Sequence, residues 1–471
     1  SKNCTKNRSR TASCANNTRV VTYPTPGFIR NDPEMEAADS SRNPLIWYLS
    51  NPMRAREITE WTQRMGASIA QLEKDIKPDC VVSTFSMLVA LMWADKKELP
   101  GIFGRTPHVL LYFNPGIPNR TIPWLFDGRL RSPDFPLYDE KSTEQTVLES
   151  WTTILARVSM SNGVMPDDKK NLRGTLCALR DVHHVICWDR LLMPPLRSLV
   201  PGMRATYVGS FDSTREHNKP GRLPEDLEAF LTARLSGTTR RDIVFVSFGS
   251  YAHDVRLRKT GSEIAKRLLL DNRFKNYAIV FHETSSWALS REDGSDDVID
   301  AVVNGLGAPE KQSLRSRFHV HRGYVSYDVI IAHVSLVVFT GSLCLQLKCL
   351  RNAVRMIFVP LLTEQYFWAK NYQYFTKMPY IDVNQNASPY TISEVVEALR
   401  NRFAARRTME YIRRVRGSLS RNDPMQNTRK LIRDIVAERA RHIRENPLLQ
   451  ESGSRRKNQE NGENKTFVEF E

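Results

Sequence analysis

The chain has 471 residues, of which 41% are hydrophobic and 25% charged, and carries a formal net charge of +16. That length exceeds one ordinary hydrophobic core and predicts two domains, while the balanced composition excludes a fibrous or wholly disordered chain. No apolar run reaches the length that a membrane-spanning helix needs; the longest, Val329 to Phe339, is interrupted by His333 and Ser335 and reads as a helix end followed by a core strand.

In chain order, residues 1–18 are polar and basic and read as a disordered tail. Asn3, Asn7 and Asn16 each open an Asn-x-Ser/Thr triplet there, a pattern that polar tails produce often by chance. VVTYPTPGF, Val20 to Phe28, predicts a short strand and a proline-rich turn. Ile58, Trp61, Met65, Ile69 and Leu72 then share one face at helical spacing. KPDCVVSTF (Lys77 to Phe85) and HVLLYF (His108 to Phe113) predict buried strands, VICWDRLLMPPL (Val185 to Leu196) a strand leaving the core, and RATYVGS (Arg204 to Ser210) the last strand before a linker. Short apolar strands alternating with helical stretches point to parallel sheets. A polar stretch over 211–223 with Pro220-Gly221, then the short helix LPEDLEAFLTARL with Asp226 in its first turn, make 211–240 the linker between a domain at 19–210 and one at 241–445.

The second domain opens on DIVFVSFGS, Asp242 to Ser250. A helix over Lys259–Leu270, strand YAIVF (Tyr277 to Phe281), an acidic loop near 290–300 and strand FHVHRGYV (Phe318 to Val325) follow. YIDV, Tyr380 to Val383, precedes a helix from Ser393, and basic helices run to about Ile443, with room to pack back on the first domain. Residues 446–471 read as a disordered tail. The acidic loop fits no calcium-loop spacing and reads as solvated surface.

Seven cysteines are scattered at 4, 14, 80, 177, 187, 344 and 349, an odd number with no metal-ligand spacing. Cys80, Cys187 and Cys344 lie within or beside apolar runs, so buried thiols and a reducing, cytoplasmic compartment are favoured. Between 401 and 450 there are thirteen Lys/Arg against five Asp/Glu, a surplus of eight, half of the net charge. Nucleic acid or an anionic membrane surface are the partners such a segment suits; without interleaved aromatics, a solvated helix face is preferred.

GYVSYDVIIAHVSLVVFTGS, Gly323 to Ser342, and VPLLTEQ, Val359 to Gln365, carry the functional signal. Their spacing resembles the donor-site signature of the UDP-glycosyltransferases, whose pattern runs Gly-Trp-x-Pro-Gln, Ala-His, a buried strand, His-Gly-Gly, and later Asp-Gln. Tyr324 stands in the Trp slot, Tyr327 in the Gln slot, His333 fits the first His, Thr340-Gly341-Ser342 replace His-Gly-Gly, and Glu364-Gln365 replace Asp-Gln. The resemblance implies an α/β protein with two Rossmann-like domains, their parallel sheets facing across a cleft (the GT-B type). It implies a UDP-sugar as donor substrate, no tightly bound cofactor, no metal, and transfer of a hexosyl group to a hydroxyl of a small lipophilic acceptor.

By the same resemblance, Gly249, Ser250, Thr340, Gly341 and Ser342 face the diphosphate, Tyr324 stacks on uracil, and Glu364 and Gln365 bind sugar hydroxyls. Thr340 can donate one hydrogen bond but carries no charge, which weakens its hold on a phosphate. Lys348, in the slot of a ribose-binding Glu, either supplies the diphosphate with positive charge or faces solvent on a helix. Tyr327 reads as an ordinary strand-end residue and His333 as structural. The family's general base, a His after the first strand, and its partner Asp, whose slot holds Thr84, are not found, and nothing assigns that role to His183 or His184. The chain is therefore read as an N-terminally incomplete transferase or as an inactive UDP-sugar-binding pseudoenzyme or partner subunit. A basic nucleic-acid- or membrane-surface-binding protein is the reading from another class.

Overall fold

A computed structural model describes residues 80–84, 108–113, 183–192, 204–211, 222–235, 243–252, 254–283, 307–361, 363–383 and 390–445. Both tails, the strand expected at Val20, the helix carrying Trp61, the acidic loop and much of the linker lie outside the described residues.

The first sheet has four parallel strands in the order β1-β2-β3-β4: Val81–Thr84, His108–Tyr112, His183–Ile186 and Arg204–Tyr207. His183 and His184, expected ahead of the third strand, form its first two positions, and the strand ends at Ile186 rather than running on through Trp188. Parallel pairing explains the shift, because His183 and His184 sit in register with Val109 and Leu110 of β2.

The second sheet is also parallel, in the order β7-β6-β5-β8-β9: β5 Ile243–Ser247, β6 Ala278–Glu283, β7 Phe318–Arg322, β8 Leu336–Phe339 and β9 Arg355–Phe358. Central strands β5, β6 and β8 are buried throughout, as apolar β-branched and aromatic runs covered on both faces should be. The connections carry helices: α1 (Glu225–Leu235) enters the domain, then α2 (Val255–Leu270), α3 (Ala308–Ser316), the short α4 (Tyr327–Ile330), α5 (Leu343–Arg351), α6 (Thr363–Thr376) and α7 (Ile392–Ala398). Helix α2 starts one turn before the expected Lys259, because Asp254 caps it, accepting from the backbone N–H groups of Arg256 and Leu257. The fold class expected from the sequence, α/β with two parallel Rossmann-like sheets, is the one observed.

Two basic helices close the chain, α8 (Arg402–Arg421) and α9 (Pro424–Glu445). Ala404, Thr408, Tyr411, Ile412, Val415 and Leu419 give α8 one buried stripe, and its arginines lie mostly on the other face. At the end of α8 the chain reaches the first domain. The Ser418 hydroxyl and the Asn422 amide donate to Asp189 Oδ2 at 2.6 and 3.3 Å, and Asn427 donates to the Val208 carbonyl at 3.0 Å. Ile435 of α9 joins Val109, Val185, Cys187 and Val208 in a small apolar cluster on the first sheet. The domains also meet where Trp188 packs edge-on against Trp368 and Asn371 donates to the Leu192 carbonyl.

Cys187 is buried, and burial pushes its thiol up to about 12; Cys349 is raised for the same reason. Cys344 departs from expectation: it is exposed, because it lies on the outward side of the first turn of α5. No helix among the described residues is long and apolar enough to cross a membrane.

Candidate functional site

The strand order reverses between β5 and β8, which leave the sheet side by side with Ser247 in register with Phe339. Loops leaving adjacent strands at such a switch point diverge and open a crevice at their carboxyl ends, where open α/β sheets bind ligands. Gly249-Ser250 and Thr340-Gly341-Ser342 follow those two strand ends within two residues, so two turns more than ninety residues apart at the extremes converge on one edge of the sheet.

Gly249 has φ +56, a left-handed backbone that opens the turn Gly249–Tyr251. A Cβ there would lie 3.7 Å from the Tyr327 hydroxyl, an ordinary contact, so conformation rather than space calls for glycine. Gly341 needs glycine on both counts. Its φ is +107, and a Cβ would meet Phe358 at 3.1 Å and the Gln365 Cβ at 3.3 Å. The turn around Gly341 is thereby pressed against the start of α6.

Thr340 is buried; Ser342 is exposed and stands at the N-terminus of α5 with no side-chain capping bond. Gln365 is buried, and its side-chain carbonyl accepts from the Leu361 N–H at 2.8 Å, which fixes the turn between β9 and α6. Glu364 lies in the first turn of α6, and its side chain, like that of Ser250, lies outside the described residues.

Tyr324 follows Gly323, whose φ is +132, and is 86% exposed. Its backbone is held from below by side chains that the sequence reading did not single out. His282, at the end of β6, bonds Gly323 O through Nε2 at 2.8 Å and Ser247 Oγ through Nδ1 at 2.9 Å. A carbonyl only accepts, so Nε2 carries the proton, Nδ1 offers a lone pair, and the Ser247 hydroxyl donates to it. The remaining partner of Ser247 Oγ is the Tyr327 hydroxyl at 3.1 Å, which must then be the donor. Polarity thus runs one way, from Tyr327 through Ser247 and His282 to the Gly323 carbonyl. Burial pushes His282 below the ordinary histidine value, with the nearby His321 charge adding and the Gly323 bond opposing. Burial also raises Tyr327, which keeps it a donor.

Two readings of the sequence need correction. Tyr327 is no ordinary strand-end residue, since its hydroxyl reaches β5 beside Gly249. Lys348 neither faces solvent nor offers its charge to the crevice: its side chain is 4% exposed and its ammonium is paired with Asp328 on α4. Helix α5 runs behind α4, so a side chain four to five residues into it meets α4 rather than the turn at its start. The alternating His-x-His of β7 was the sequence signal for a further cluster that escaped notice, Asp226, His319 and His321. His333 sits half-buried in the turn Ile331–His333, just ahead of the amino end of β8. His183 and His184 lie at the amino end of β3, opposite to the edge that a cleft would use, and His184 bonds the Tyr112 hydroxyl at 2.9 Å. Thr84 ends β1, and its side chain lies outside the described residues.

No family model matches the chain, and no curated protein matches it. Solved structures do. The chain superposes on apo UGT2 of Phytolacca americana with a TM-score of 0.52 at 12% identity, covering 82% of each chain. A UDP-glucosyltransferase from Polygonum tinctorium capable of glucosylating indoxyl gives 0.52 at 12% identity, covering 81% of each. UGT2 complexed with UDP-2fluoro-glucose and pterostilbene gives 0.50 at 13% identity, covering 80% of this chain and 79% of that one. At such identities the likeness shows the fold: two Rossmann-like domains of the GT-B type.

Proposed function

We propose that this chain binds a UDP-sugar in the crevice between the ends of β5 and β8 and passes the hexosyl group to a hydroxyl of a small lipophilic acceptor lying between the domains. One observation carries the reading. Two left-handed glycine turns, at Gly249 and Gly341, flank the switch point of the second sheet, and the second leads straight into a helix N-terminus. Backbone N–H groups at such a place suit a diphosphate, through both their hydrogen bonds and the positive end of the helix.

In this reading the N–H groups of the two turns and the Thr340 and Ser342 hydroxyls take the diphosphate oxygens. Exposed Tyr324 stacks on the base, with its turn held by the Tyr327–Ser247–His282 chain. Glu364 and Gln365 face the sugar. The acceptor oxygen attacks the anomeric carbon while the bond from that carbon to the diphosphate breaks, and UDP leaves with the bonding electrons. The acceptor proton goes to a base that none of the described residues is assigned to be. Leaving-group stabilisation then rests on neutral donors, which hold a phosphate less strongly than a charged one.

A second reading, a UDP-sugar-binding protein without turnover, is favoured by one specific feature. Lys348, the cation nearest in sequence to the phosphate turn, has its charge committed to Asp328. Calorimetric titration with UDP, followed by a UDP-release assay with several UDP-sugars and phenolic or sterol acceptors, separates the two. Binding with turnover supports the transferase, binding without turnover supports the second reading, and no binding removes both.

A further inference from the structure

Outside the crevice, at the outer edge of the second sheet, Asp226 in the first turn of α1 meets His319 and His321 of β7. The two histidines are two residues apart on a strand and so point to the same face. Asp226 Oδ2 lies 3.2 Å from His319 Nε2 and 3.2 Å from His321 Nδ1, and all three ligand atoms fall within 4.8 Å of one another. Tetrahedral zinc with bonds of about 2.0–2.1 Å requires neighbouring ligand atoms about 3.3 Å apart. Two edges already meet that spacing.

We infer that Asp226, His319 and His321 form a three-ligand site for a divalent transition metal, zinc by the chemistry of the donors, with a fourth position open to water. Two imidazole nitrogens and one carboxylate oxygen suit a borderline metal and not calcium or magnesium, which take oxygen sets. His321 is buried and His319 is mostly covered, stacked on Phe230 at 5.0 Å, so both rings are fixed; Asp226 is half-exposed, which gives the ion a way in. No hydrogen bond engages His321 Nε2 among the described residues, so no second partner locks the ring with its proton on Nδ1. The ion would fasten the helix that follows the inter-domain connection to the edge strand of the second sheet. This site does not rest on the UDP-sugar reading.

The missing fourth protein ligand and the missing partner on His321 Nε2 set the expected strength. An absent outer partner of this kind costs about 10–100-fold in metal affinity, so the site is weaker than a closed zinc site. The test uses the full chain, stripped with a chelator and titrated with ZnCl2 by calorimetry and with CoCl2 by visible absorbance. One equivalent is expected to bind, and the melting temperature should climb with zinc concentration. Asp226→Ala, at an exposed position, and His319→Gln, which keeps an uncharged side chain of similar reach, should each weaken binding by at least about 10–100-fold. Metal-free melting curves of both variants show whether the fold survives. Absence of saturable binding in the wild type, or equal affinity in a folded variant, overturns the site.

Discussion

The Tyr327 hydroxyl lies 3.1 Å from Ser247 Oγ, joining two residues 80 apart in sequence at the point where β5 leaves the sheet. Because Ser247 also engages His282, and His282 the Gly323 carbonyl, this contact transmits the position of β5 to the turn that presents Tyr324. Tyr327→Phe should cost about 0.5–1.5 kcal/mol of stability, the worth of one such bond. UDP affinity should fall roughly 2–12-fold if the turn is positioned through it. A double-mutant cycle with Ser247→Ala measures the coupling, and strict additivity would show that the chain does not act as a unit.

Gly341→Ala is expected to be far more disruptive than its size suggests. The backbone is left-handed there, and the new methyl would press on Phe358 and Gln365. Strain of this kind costs about 1–3 kcal/mol. Urea denaturation should show that loss, whereas Gly417→Ala, within α8 and with nothing near its Cβ, should be neutral or stabilising.

Acid should weaken the protein earlier than its carboxylates require. His282, His319 and His183 all sit below the ordinary value of 6.5, chiefly through burial. A histidine with a depressed folded value binds its proton more readily when unfolded, so the stability it contributes is present above about pH 6.5 and is lost as pH falls through the folded value. Melting temperature should hold between pH 7 and 8 and fall from 6.5 downward. His282→Gln should start lower but fall less steeply; an equal slope would remove His282 as a source.

Lys348 and Asp328 should respond unequally to removal. The ammonium is buried and the carboxylate is 41% exposed. Asp328→Ala removes the carboxylate that faces a buried ammonium, whereas Lys348→Met replaces the ammonium with an apolar chain of similar length. Melting temperature should drop for the first and change little for the second. The reverse order would show that the ion pair with Asp328 is not what makes burial of the Lys348 ammonium tolerable.

Thr340→His tests the proposed leaving-group contact. If the chain turns over, the substitution should raise the UDP-release rate and Gln365→Ala should lower it. A preorganised donor of this type is worth about 2.7–4 kcal/mol in the transition state, so either change is easily read. A rate indifferent to both substitutions would place the donor site elsewhere.

The parallel sheets were legible because buried parallel strands print themselves as continuous apolar runs, as in IVFVS and LVVF. The glycines at 249 and 341 were picked out through the resemblance, and the left-handed turns they adopt supply the physical reason for glycine there. Lys348 was misread, because one sequence position cannot report what the neighbouring helix sets opposite it. Ser247 and His282 went unnoticed for a related reason. Each lies inside an apolar strand, and only the pairing of β5 with β6, Ser247 opposite His282, brings the two side chains together. The same holds for Asp226, whose histidines lie 93 and 95 residues away.

Ile435 packs with Val109, Val185, Cys187 and Val208, which lie in or directly after strands of the first sheet. During synthesis the amino-terminal sheet therefore leaves the ribosome more than two hundred residues before the helix that finishes its core. Domains ordinarily fold in the order in which they emerge. Here the contact that α9 makes with Val109, Val185, Cys187 and Val208 forms only when the last helix arrives, and translation that stops short of α9 leaves that patch without it.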